Sequence, residues 1–158
     1  MILLDTTVLL YAVGSDHALR APCRALIEAI GDGSVAATTT VEVLQEFAHV
    51  RARRRGRTDA AALAERYAAL LAPLTPVDAE DLAAGLREFR QHDALGAFDA
   101  VLAATVLRRE HLTALVSADR AFAGIPLLSH LDPAAPDFAE RLGISLRLGP
   151  SAAYVSTT

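Results

Sequence analysis

Apolar positions fall into short blocks separated by acids, glycines and prolines, and the spacing inside each block decides between strand and helix. Residues 1–4 form an apolar run cut off by Asp5, which predicts a short strand. A helical turn is expected over residues 7–13. Residues 18–30 read as a helix, with Leu19, Ala25, Leu26 and Ile30 available for a buried stripe and Gly31-Asp32-Gly33 to end it. Residues 35–37 read as a second short strand. Thr38, Thr39 and Thr40 offer N-caps for a helix running to Arg55, with Val41, Leu44 and Ala48 at helical spacing and Gly56 as its break. Asp59 can cap the next helix, marked by Leu63, Tyr67, Leu70 and Leu71 and stopped by Pro73. Residues 74–77 fit a short strand, which Pro76 places near a sheet edge. Leu82, Leu86 and Phe89 mark a further helix, and Gly96 precedes a strongly apolar one over residues 97–107. Leu115-Val116 and residues 125–128 read as two strands around a helical turn. Ile144, Leu146 and Leu148 alternate with polar residues as a last edge strand would, and residues 150–158 read as a loose tail.

Strands alternating with helices predict an α/β fold: a mainly parallel central sheet with helices on both faces. No repeat or linker divides the chain, so residues 1–149 are expected to form one domain. At 158 residues and 53% hydrophobic, the chain can bury one sizeable core. With 5% aromatics and no Trp, that core must be mainly Leu, Val, Ile and Ala. The first apolar run has no basic flank and is interrupted by Asp5, unlike a signal peptide. No stretch approaches the roughly 20 apolar residues of a membrane span. Cys23 is alone, so no internal disulfide can form. These features suit a cytoplasmic protein.

Four acids stand out by position. Asp5 follows the first strand, and open α/β sheets bind ligands beyond the carboxyl ends of their strands. It could equally cap a helix. Asp119 follows Leu115-Val116 in the same way, with a turn or cap as its ordinary use. Asp99 interrupts an apolar segment. The helix dipole favours it there, but a buried charge also needs a partner. Glu42 and Glu46 lie four apart and share a helix face, which fits either a solvated edge or a site that one of them points into. Acids gathered in one cleft suit Mg²⁺ or Mn²⁺, which prefer hard oxygen ligands. Such ions activate water and stabilise charge developing on a phosphate, so the matching reaction is phosphodiester hydrolysis. The formal net charge of −4 is unusual for a nucleic-acid enzyme, but setting four acids aside leaves the remaining charges balanced.

The segments around these acids resemble the motifs of PIN domains, and of VapC-type toxins among them. Asp5-Thr6-Thr7-Val8 resembles the opening motif. Thr40 with Glu46-Phe47 six residues on resembles the second, Phe98-Asp99-Ala100-Val101 the third, and Val116-Ser117-Ala118-Asp119 the fourth. The order and spacing hold to about Ser129; beyond it no motif matches. The resemblance implies a PIN-like domain and a Mg²⁺- or Mn²⁺-dependent endoribonuclease acting on RNA. It also implies a cognate antitoxin and a homodimer. It carries Asp5, Glu46, Asp99 and Asp119 over as catalytic and metal-binding residues. Thr7 stands where Asn or Ser is commoner. Thr7 and Ser117 are candidates to orient a ligand or phosphate, and Glu42 is an alternative to Glu46.

Other chemistries fit less well. The five His residues make no helical zinc pair, and there is no dinucleotide fingerprint or Walker A loop. A haloacid-dehalogenase-type phosphatase needs a second Asp where Thr7 stands. A non-catalytic binding module would not need all four acids, and a DNA nuclease of similar architecture remains a rival. Residues 51–57 form the densest basic run. Arg53, Arg54 and Arg55 lie seven to nine residues beyond Glu46, roughly 10–14 Å at 1.5 Å per residue, and suit phosphates flanking the one being cut. A solvated helix end is the simpler use of such a run.

Overall fold

The computed structural model describes residues 1–145, and four strands and seven α-helices are formed within them. Strand β1 (Ile2–Leu4) leads into α1 (Thr6–Ala12) and α2 (Arg20–Gly31). Strand β2 (Ala37–Thr38) leads into α3 (Val41–Arg55), α4 (Arg57–Leu70), α5 (Ala79–Gln91) and α6 (Ala97–Leu107). Strand β3 (Ala114–Val116), a 3₁₀ turn at Arg120–Gly124, β4 (His130–Leu131) and α7 (Phe138–Leu142) complete the described chain. The strand order is β2-β1-β3-β4 and every pairing is parallel. Leu3 faces Thr38 on one side and Leu115 on the other, which fixes the central register. Leu3, Leu4, Leu115 and Val116 are fully buried. Side chains of a strand alternate between faces, so complete burial means that both faces are covered, as the unbroken apolar runs predict.

From β1 the chain moves outward to β2, while from β3 it moves the other way to β4. The order therefore reverses between β1 and β3. In open parallel sheets the loops diverge at such a switch point and leave a crevice beyond the carboxyl ends of the strands. Asp5 and Asp119 come from the two strands that flank it.

Several sequence expectations shift. The segment 125–128 is not a strand. Leu127 has φ 66° and is almost fully exposed, and the chain turns there before β4 forms at His130. Residues 74–77 form no strand: Pro73 and Pro76 carry no N–H, and only Thr75 pairs, donating its N–H to the Thr39 carbonyl. Helix α4 starts at Arg57 directly after Gly56, whose φ of 88° suits glycine, and Asp59 pairs with Arg51 instead of capping. Ile144 closes α7 by donating to Ala139, while the rest of the expected last strand, and the tail, lie outside the described residues.

Helix α5 is rolled away from its apolar stripe. Leu82 and Phe89 are exposed, while Asp81 and Gly85 are buried. Gly85 sits against α6 so closely that a Cβ there would lie 2.5 Å from the Val101 Cα. Asp81 accepts from Arg108 at 2.5 Å and from Arg109 at 2.6 and 2.8 Å. Those bonds satisfy the buried carboxylate and hold the roll.

Candidate active site

Asp5 sits at the end of β1 and caps α1, so both uses foreseen for an acid at that point coexist. It is almost fully buried. Its Oδ2 accepts from the Thr7 hydroxyl and the Ser117 hydroxyl, each at 2.7 Å, and from the Thr7 N–H at 3.4 Å. Oδ1 takes no hydrogen bond from the described residues. Thr7 Oγ1 in turn accepts the Ala118 N–H at 3.0 Å, and Ser117 Oγ accepts the Asp119 N–H at 3.0 Å. Two hydroxyls thus stitch the loop after β1 to the loop after β3. Both hydroxyls orient Asp5.

Asp119 caps the 3₁₀ turn, its Oδ1 accepting the Ala121 N–H at 2.8 Å. Behind it, the Ser117 carbonyl lies 2.8 Å from His130 Nε2, so β4 steadies the same loop. On α3, Glu46 accepts the Thr6 hydroxyl on Oε2 at 2.6 Å. Thr6 is buried and follows Asp5 directly; sequence reasoning missed it, and its only signal was that adjacency. The three threonines before α3 divide their work. Thr40 caps the helix through Val43, Thr39 donates to the Leu4 carbonyl at 2.8 Å, and Thr38 donates to the Pro73 carbonyl at 2.9 Å. Thr39 thereby pins the start of α3 to the end of β1.

Asp99 lies in the first turn of α6, folded over Gly96, where a Cβ would come 2.9 Å from its Oδ2. Its pKa is raised from 3.8 to about 6, chiefly by burial and then by the charges of Asp5, Asp119 and Glu46, against a backbone hydrogen bond at Gly96 that lowers it. Four acids from four separate segments therefore share one electrostatic environment. Among the described residues no three acid, His or Cys side chains are gathered into a ready ligand set. The donor atoms of the four carboxylates are all hard oxygens. Glu42, one turn earlier, has a buried Oε2 without a hydrogen-bond partner among the described residues.

The basic run divides. Arg51 is committed to Asp59, at 2.5 and 3.1 Å, and to the Val13 carbonyl. Arg54 lines a cleft that begins at Thr7, and Arg54 and Arg55 line a smaller hollow beside it. Arg53 lines neither of these hollows.

A parallel sheet with electrostatically coupled carboxylates around its switch point defines the class. The chain belongs to the PIN-domain family, whose family model matches residues 2–127. Ribonuclease VapC7 of Mycobacterium tuberculosis is 49% identical to it over 151 residues, covering 90% of this chain and 99% of that protein. Ribonuclease VapC23 of the same species is 36% identical over 111 residues, or 69% of this chain and 86% of the relative. In fold, the chain is similar to the crystal structure of Mycobacterium tuberculosis VapC20, described as a sarcin-ricin loop cleaving toxin. The TM-score is 0.62 at 19% identity, over 79% of this chain and 96% of that one. Among the described residues no helix is long and apolar enough to cross a membrane.

Proposed function

We propose that this chain is the endoribonuclease toxin of a toxin–antitoxin pair and hydrolyses RNA phosphodiesters at an acidic divalent-cation site. The observation that carries this reading is the electrostatic coupling of Asp99 to Asp5, Asp119 and Glu46, which come from separate segments around the sheet's switch point. The names of the VapC relatives supply RNA as the substrate class. Asp5, Glu46, Asp99 and Asp119 would hold Mg²⁺ or Mn²⁺. An all-oxygen donor set suits a hard cation, and crowded negative charge favours one. When bound, the ion supplies neutralising charge at the phosphate and water of lowered pKa.

The chain's own residues prepare that chemistry. Thr7 and Ser117 hold Asp5 through one oxygen and leave the other available. Thr6 holds Glu46. Arg54 and Arg55 offer bidentate groups to phosphates along the strand. Hydrolysis by water needs no covalent intermediate. The family likeness supports a cognate antitoxin that keeps the enzyme inactive, and a homodimer. Cys23 is buried and its thiol is pushed up to about 12, an inert group that suits a reducing cytoplasm.

Incubating the pure protein with total cellular RNA and with single-stranded DNA, in Mg²⁺, Mn²⁺ or EDTA, tests the proposal. RNA is cut with metal and spared with EDTA, and DNA is spared throughout. Cleavage of DNA instead would move the chain to the DNA nucleases. Binding of RNA without any cleavage would make it a non-catalytic module.

A further inference from the structure

We propose that the cleft between the α1–α2 loop and the end of α3 is a subsite for one unstacked nucleobase beside the scissile phosphate, read at its edge by Asp16. The inference rests on the ribonuclease reading and deepens it. The cleft holds about 300 Å³, at the lower end of the range for small-ligand pockets. Its walls include Thr7, Tyr11, Asp16, His17 and Arg54. Thr7 also belongs to the acidic site, where its hydroxyl donates to Asp5. The cleft therefore adjoins the acidic site through Thr7, a place that suits a nucleotide next to the cut.

Its chemistry is that of a base-binding surface. The rings of Tyr11 and His17 are stacked, with centroids 4.7 Å apart and planes 26° apart. Sequence-specific RNA recognition relies on splayed bases stacked on such rings and read at their edges. His17 is fixed by its own loop, since Nδ1 accepts the Leu19 N–H at 3.1 Å, and the neutral ring then carries its proton on Nε2. Gly14 keeps the loop tight, because a Cβ there would come 2.9 Å from the Leu10 carbonyl oxygen. Arg54 is exposed and makes no hydrogen bond or ion pair among the described residues, so its guanidinium is available to a phosphate. Asp16 repels phosphate but accepts hydrogen bonds from the donor groups on a base edge.

The test maps cut ends in total cellular RNA and measures kcat and KM on one mapped substrate for wild type, His17→Ala, Arg54→Gln and Asp16→Asn. All three positions are exposed, so folding is preserved, and melting curves check it. Wild type discriminates among the bases at one position beside the cut, and Asp16→Asn changes that discrimination. His17→Ala raises KM about tenfold, the scale of one lost base stack, with kcat little changed. Arg54→Gln raises KM and flattens its salt dependence. Identical cut patterns and KM values in all variants of an active enzyme overturn the subsite alone. A wild type that cuts no RNA overturns the ribonuclease reading and the subsite with it. Variants that cut normally but lose a co-expressed protein partner make the cleft a protein dock, which also overturns the proposal.

Discussion

Thr6 donates its hydroxyl to Glu46 Oε2 at 2.6 Å, joining the residue after Asp5 to the second turn of α3 across 40 positions of sequence. Glu42 has no such anchor, and its buried Oε2 lacks a hydrogen-bond partner among the described residues. Glu46→Gln should therefore abolish most RNA cleavage, while Glu42→Gln leaves it within a few-fold. Thr6→Val should lose roughly 10–100-fold, the usual cost of removing a group that orients a metal ligand. Single-turnover cleavage rates decide, and the reverse ranking of the two glutamates would shift the site by one helical turn.

Asp99 links the site to pH. Its folded pKa of about 6 lies above the ordinary 3.8. Below pH 3.8 it is protonated in both states. As pH rises from about 4 to 6 the unfolded chain ionises first, so Asp99's contribution to stability falls through that window and stays low above it. Asp99→Asn removes this loss. In EDTA the variant should melt higher than wild type at pH 7 and about equally at pH 4, while cutting no RNA. Parallel melting temperatures across that range would remove Asp99 from the acidic cluster.

A divalent cation should act in the opposite direction. It requires the ionised carboxylate, so its affinity should weaken as pH drops below about 6. Titrating Mg²⁺ against the melting temperature should show stabilisation at pH 7.5 and much less at pH 5. A shift independent of pH would place the ion elsewhere.

Gly96 gives Asp99 its room. A Cβ there would meet Asp99 Oδ2 at 2.9 Å, and the neighbour that must yield is a side-chain tip. Gly96→Ala should thus displace the carboxylate at little cost to folding. Activity is expected to fall at least tenfold while the melting temperature moves only a few degrees. Unchanged kcat would show that the carboxylate keeps its place.

Gly85 presents the contrasting case. There the Cβ would meet Val101 backbone at 2.5 Å, and backbone cannot step aside. Gly85→Ala should destabilise the fold by about 1–3 kcal/mol or more, as overpacking does. Urea unfolding measures it, with activity per folded molecule preserved.

The sequence by itself determined the layers and singled out the four acids as candidates. Apolar runs, caps and helical spacing are local, so they register the strands, most helices and the acids that follow strands or open helices. Asp5 and Asp119 were legible because each lies within three residues of the strand that delivers it. Tertiary structure alone decided how those acids are held. Ser117 reaches Asp5 across 112 positions, and no local pattern encodes that bond. It also decided that Leu82 faces out while Asp81 is buried, because a glycine contact with α6 and two arginines just beyond its end outweigh the apolar stripe of α5. The cleft beside Thr7 is of the same kind, joining the end of α1, its loop and Arg54 only once α3 packs against them. Propensity and periodicity act over a few residues, whereas these contacts depend on how separate elements cross, and only packing the whole chain fixes that.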